Sequence, residues 1–246
     1  MTSHNSFAAR IRHHLQQVAS LRTQAADADR LAAVHAVKRL QAQRFQGTYS
    51  DLSGHTRTRP AVRFFLDELY GEHDFSHRDE QFGRIAGAIE HLFPAAVGQL
   101  AVDLAEMHAL TETLDHALAS HWQDLPADTS NAERYVVSWR RCGARGERER
   151  QLAVVQHMGA ELQRLTRMRS LRLGLRMMRK PANAAGLDAL QHFLESGFDA
   201  FTALGDASSF LATIAQREAQ WIDTLFDAPL TDACHRLADE LSRSNP

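Results

Sequence analysis

The stretch AAVGQLAVDLAEMHALTETLDHALASHW, residues 95–122, decides the fold class. Projected at 100° per residue, Val97, Leu100, Leu104, Met107, Leu114, Leu118 and Trp122 fall on one side, the period of a helix with a buried stripe. Pro94 stands immediately before it, where a residue without an N–H costs a helix nothing. A run of this length with so regular a stripe needs other helices to cover it.

Outward from this run the same period recurs. It predicts helices over residues 5–24, 28–46, 59–70, 77–92, 94–121, 131–142, 147–179 with a break near Ser170, 183–204, 208–226 and 230–243. Composition agrees: Ala and Leu supply 67 residues and Val and Ile only 15, a balance that favours helix over strand. The expectation is a soluble all-α bundle of roughly eight to ten helices. Pro60, Pro94, Pro126, Pro181 and Pro229 should fall between helices or at their starts. Gly71 reads as a left-handed cap, and Ser76 to Asp79 and Ser130 to Glu133 each match a capping box. Residues 46–59 and 123–130 read as loops. A single domain over 1–246 is expected, with a weak subdivision into 1–125 and 126–246.

The formal net charge of −2 describes neither a basic nucleic-acid binder nor an acidic tail, so any electrostatic partner must be read by a local patch. Cys142 and Cys234 have no metal spacing, and no stretch approaches the length of apolar residues a membrane span needs. Met1 to Asn5 begins no signal-like segment, and the cytoplasm is the expected location. No phosphate-binding loop, dinucleotide fingerprint, nucleophile elbow, zinc-protease motif or Glu-x-x-His pair occurs. The sequence implies no cofactor, no metal and no catalytic set.

Arg63 to Gly71, FFLDELYG with its preceding arginine, continues through Asp74, Phe75 and Ser76 to Arg78 and Asp79. This run resembles the hallmark of an uncharacterised, all-helical family of bacterial proteins. Met178 to Pro181, Gly186-Leu187 and Phe193 to Phe198 resemble the same family. The resemblance implies the fold and carries no activity.

The informative residues are polar ones on apolar faces. His108, Thr111 and Asp115 project onto or beside the buried stripe of the central run. A polar pocket able to move a proton or hold a ligand, or a structural hydrogen-bond network, would each place them so. Glu112 and His116 lie further round and read as a solvated face. Glu218 is surrounded by Phe210, Leu211, Ile214, Trp221, Ile222 and Leu225, and a carboxylate there needs a partner. Arg78, on the side of Phe82, Ile85 and Ile89, is the expected partner of Glu218 or Asp115. His14 projects between Phe7, Ile11, Val18 and Leu21 as a core histidine or a weak haem or metal candidate. His73 and His77 are discounted as a zinc pair.

From Leu162 to Leu187 there is no acidic residue. Arg169, Arg172, Arg176 and Arg179 fall on one helical face, a cationic stripe suited to an acidic protein, a phosphate-bearing ligand or an anionic membrane surface, or else paired within the molecule. No aromatics interleave it and no reader motif accompanies it, which disfavours nucleic acid.

Three functions follow as expectations. The first is a non-enzymatic helical binding or regulatory protein whose arginine-rich helix is the contact surface. The second is a ligand-binding or catalytic bundle using Arg78, His108, Asp115 and Glu218. The third is a haem or metal protein. A homodimer through an exposed face at Phe64 is a further expectation.

Overall fold

The computed structural model describes residues 6–27, 30–69 and 75–244. Among them run twelve helices and no strand: α1 (Phe7–Asp27), α2 (Leu31–Thr48), α3 (Ser50–Gly54), α4 (Arg59–Phe64), α5 (Ser76–Leu92), α6 (Ala95–Gln123), α7 (Asn131–Cys142), α8 (Arg145–Thr166), α9 (Arg169–Ala184), α10 (Asp188–Leu204), α11 (Ser208–Asp227) and α12 (Leu230–Arg243). A π-helical turn, Phe65–Leu69, continues α4. The class is all-α as expected, with more helices than the eight to ten foreseen. The surplus comes from two sources. Residues 46–59, expected as a loop, contain α3, too short to show a period. The long run over 147–179 does divide into two helices near Ser170, where Met168 takes extended backbone (φ −87°, ψ 99°) before α9 begins.

The run that decided the fold class is the central helix. At about 1.5 Å per residue α6 is some 43 Å long, and it contributes to three apolar clusters in turn. Val102 and Ala105 pack with Ile11, Phe82 and Ile89. Met107 joins Phe65, Val155, Phe201 and Phe210. Leu118 and Trp122 close a third cluster with Val37, Tyr135, Trp139, Trp221 and Leu237. The second and third clusters draw on residues from both sides of position 125.

Local rules account for several boundaries. Ser130 caps α7 by accepting the Glu133 N–H, the expected first half of a capping box. Gly143, at φ 59°, ends the same helix in the left-handed region. Ser76 differs from expectation: it is already the first residue of α5, and Phe75 precedes it without a side-chain cap. Gly71 lies outside the described residues. Pro181 also departs from expectation, lying inside α9. It falls in the last turns on the solvent side, where the carbonyl four residues earlier can turn to water.

Phe64 is buried, not the exposed dimer face expected. A Cβ added to Gly197 would meet its ring at 2.9 Å, and it packs against Phe193 in a small cluster of its own. Phe65 joins the cluster of Phe45 and Phe210 instead. The π-helical turn thus begins at the second of two adjacent aromatics that fill separate cores. At Gly47 a Cβ would lie 2.1 Å from the Glu240 carbonyl oxygen, so α12 packs directly onto the α2 backbone where no side chain fits.

Candidate functional site

Of the polar residues singled out on apolar faces, His108, Thr111 and Asp115 are buried and Arg78 and Glu218 half-buried, and the structure sorts these five into two groups. Arg78 and His108 belong to the first. His108 Nε2 lies 2.9 Å from Asp79 Oδ2, and Arg22 Nη1 approaches the same oxygen at 2.9 Å. Arg78 donates to the Glu68 carbonyl at 2.9 Å and lies 3.7 Å from its carboxylate and 4.0 Å from Asp79. Its guanidinium stacks between Phe75 and Phe193, 4.1 and 4.7 Å from the ring centroids. Burial pulls the Arg78 pKa down, with Asp79 and Glu68 opposing it. The expected bond from Arg78 to Glu218 or Asp115 is replaced by these nearer acceptors from the family-like run. A cavity of about 10 Å³ beside them has room for about one water. The arrangement ties the π-helical turn to α5, α6 and α10 and leaves no volume for a substrate.

Thr111, Asp115 and Glu218 belong to the second group, spread among α2, α6, α7, α8 and α11. Thr111 donates to the Met107 carbonyl at 2.9 Å and accepts from Gln151 Nε2 at 2.7 Å. Glu218 accepts from Arg44 at 2.5 Å and from the Tyr49 hydroxyl at 2.8 Å. Its partner is therefore Arg44, which α2 presents one turn beyond Gln41. The ion pair outweighs burial and raises the Arg44 pKa. Asp115 is 1% exposed, and its Oδ1 has no hydrogen-bond partner. Burial pushes its pKa up to about 6, against the pull of Lys38, Arg148 and Gln41.

Glu112 corrects the expected solvated face. It is 2% exposed and accepts from Lys38 at 2.5 Å, with His116 Nε2 at 3.5 Å. Burial would raise its pKa, but the bonds from His116 and Lys38 hold it well below the usual carboxylate range. One turn of α6 thus carries two buried carboxylates displaced in opposite directions, because only one received a cation within bonding distance.

The cationic stripe is not a free surface. On α9, Arg179 donates to both oxygens of Glu195 at 2.7 and 2.8 Å, and Arg172 reaches Asp199 at 3.2 Å. Both acids stand on α10. Arg176 and Lys180 are exposed, and neither forms an ion pair with a described residue. The side chain of Arg169 lies outside the described residues. Between the outward cations stand Leu173 and Met177, 60% and 70% exposed. Met168 and Met178 are exposed at the edges, and among the described side chains of the helix only Ala182 is buried.

His14 is half-buried and its Nδ1 has no hydrogen-bond partner; burial lowers its pKa. His77 is exposed and contacts Gln81 and Asp188, while His73 lies outside the described residues. Cys142 and Cys234 are free. No described helix is long and apolar enough to cross a membrane.

Sequence reasoning passed over Arg22, Lys38, Gln41, Arg44, Asp79, Arg148 and Gln151, all engaged in these interior groups. The signal was available for some. Gln41 and Arg44 continue the stripe of Val34 and Val37 at spacings of three and four. Arg148 and Gln151 precede Val155 in the same rhythm on α8.

A comparison with curated proteins and with solved structures finds no match. A family model does match, over residues 20–231, from the last turns of α1 to the start of α12. The chain therefore belongs to the family defined by a domain of unknown function, DUF8198.

Proposed function

We propose that the protein is a helical binding or regulatory protein, non-enzymatic, and that it docks an acidic partner protein on the outward face of α9. The observation that carries this reading is the exposure of Leu173 and Met177 on a helix that buries almost nothing of its own. Long apolar side chains held out of a packed core mark interaction sites, and methionine suits a surface that must adapt to a partner. Arg176 and Lys180 beside them, with no acidic residue between 162 and 187, supply the charge complement.

The partner's class follows from the same face. Self-association through α9 would set Arg176 and Lys180 against their own copies, a like-charge contact that costs affinity. An anionic lipid surface calls for a wide apolar face, whereas the apolar strip here is narrow and interrupted by Gly174 and Pro181. An acidic protein helix with a short apolar seam fits both features.

The test is native mass measurement of the chain purified from its host. The chain should carry an acidic protein that is lost in Leu173→Ser/Met177→Ser and in Arg176→Glu/Lys180→Glu. Retention in both variants contradicts the reading. So does co-sedimentation with phosphatidylglycerol vesicles that the same variants abolish.

A further inference from the structure

The interior holds a second feature that partner docking does not use. Arg148, in the first turns of α8, is 7% exposed. Its guanidinium lies 4.0 Å from the centroid of the Trp139 ring. It makes no hydrogen bond and no ion pair with any described residue. A buried cation without a hydrogen-bonded counter-charge is costly, which is why such groups are normally paired. Arg44, on the opposite wall, shows the ordinary solution in its bond to Glu218.

Arg148 lines a cavity of about 50 Å³ together with Gln41, Arg44, Tyr135, Gln151 and Glu218. Phe45, Phe65 and Ile214 supply apolar wall. That volume exceeds the roughly 10–15 Å³ a single water requires. Other unsatisfied groups lie close by: the indole N–H of Trp139, which borders the cavity, and Oδ1 of Asp115 are both buried without partners. Asp115 and Arg148 attract one another yet form no direct pair, so no described residue supplies the guanidinium's acceptor.

The geometry points to this cavity as a binding site for a small monocarboxylate with a short apolar body, its carboxylate held by the fork of Arg148. A planar guanidinium offers two parallel N–H donors to a carboxylate. The aromatic and aliphatic wall takes the organic part, the usual division of labour in a ligand pocket. A phosphate dianion fits less well. Arg44 is already spent on Glu218, and a second negative charge would face Glu218 and Asp115 with Arg148 alone among the described lining residues to balance it.

Thermal unfolding tests this on the full chain with isobutyrate and benzoate at 50 mM, against isobutyramide, benzamide and inorganic phosphate at matched ionic strength. A carboxylate bound with a millimolar dissociation constant raises the melting temperature on the order of 5 °C. At least one carboxylate should do so, the neutral amides should do nothing, and phosphate should do far less. Arg148→Gln should abolish the rise. No rise with either acid overturns the proposal, as does an equal rise with the matching amide or in Arg148→Gln. If Arg148→Gln fails to fold, tryptophan fluorescence of the unmodified chain decides. Because Arg148 stacks on Trp139, carboxylate should change the emission saturably, and an amide that does the same overturns the proposal.

Discussion

Two arginine-bearing regions of this bundle invite comparison: α9, where the arginines are conspicuous in the sequence, and the interior between α2 and α8, where they are not. On α9 the crowding is mostly resolved at the surface, since Arg172 and Arg179 meet Asp199 and Glu195 on α10. In the interior Arg44 is paired, whereas Arg148 bonds to no described acceptor and rests on the Trp139 ring. Charge density along a chain is therefore a poor guide to a site. What remains uncompensated after folding is the better guide: two apolar side chains on α9, and one guanidinium inside.

Substitutions should separate the two regions. Arg44→Ala removes the cation that holds buried Glu218 and should cost about 3–5 kcal/mol in urea unfolding; a loss under 1 kcal/mol would mean that the interior tolerates unpaired charge generally. Asp115→Asn should act in the opposite direction. The folded carboxyl titrates at about 6 against an ordinary value of 3.8, a difference worth about 3 kcal/mol. The sign follows from the raised value: Asp115 contributes stability that is fully present below pH 3.8, declines as pH rises through 6 and is absent above it. The asparagine variant should therefore be more stable than the parent at pH 8, by up to about 3 kcal/mol, and the advantage should vanish near pH 4. An advantage that grows on acidification would contradict the account.

Arg148→Gln comes next. In buffer free of carboxylates it should leave stability unchanged or raise it, because removing a buried charge without a bonded counter-charge offsets the lost stacking on Trp139. A cost matching that of Arg44→Ala would show that Arg148 has a protein partner. Smallest of all is Arg172→Ala, whose exposed pair with Asp199 should leave the unfolding midpoint within error.

The sequence reveals α6 because its stripe spans nearly eight turns, and it reveals the inward direction of Thr111, Asp115 and Glu218 because each interrupts an apolar face. It does not reveal α3 or the π-helical turn, which are too short to display a period. It does not reveal who pairs with whom. Glu218 and Arg44 are 174 positions apart, and inward direction alone pointed to Arg78. Arg148 is masked differently, sitting in the run RGERER, whose alternating charges read as solvated helix until the packing of α7 shows that one of them turns in. Arg172 and Arg179 read as free because their acids stand on the next helix.

The most direct test of α9 as the docking face is photo-crosslinking in the host, with a photoreactive amino acid in place of Met177 and, as a control, in place of the exposed Glu149 on α8. The account predicts one discrete adduct from position 177, to an acidic segment of a single protein. That adduct should be absent from position 149 and lost when Arg176 and Lys180 are changed to Glu. No discrete adduct at 177, or one that survives charge reversal, would contradict it.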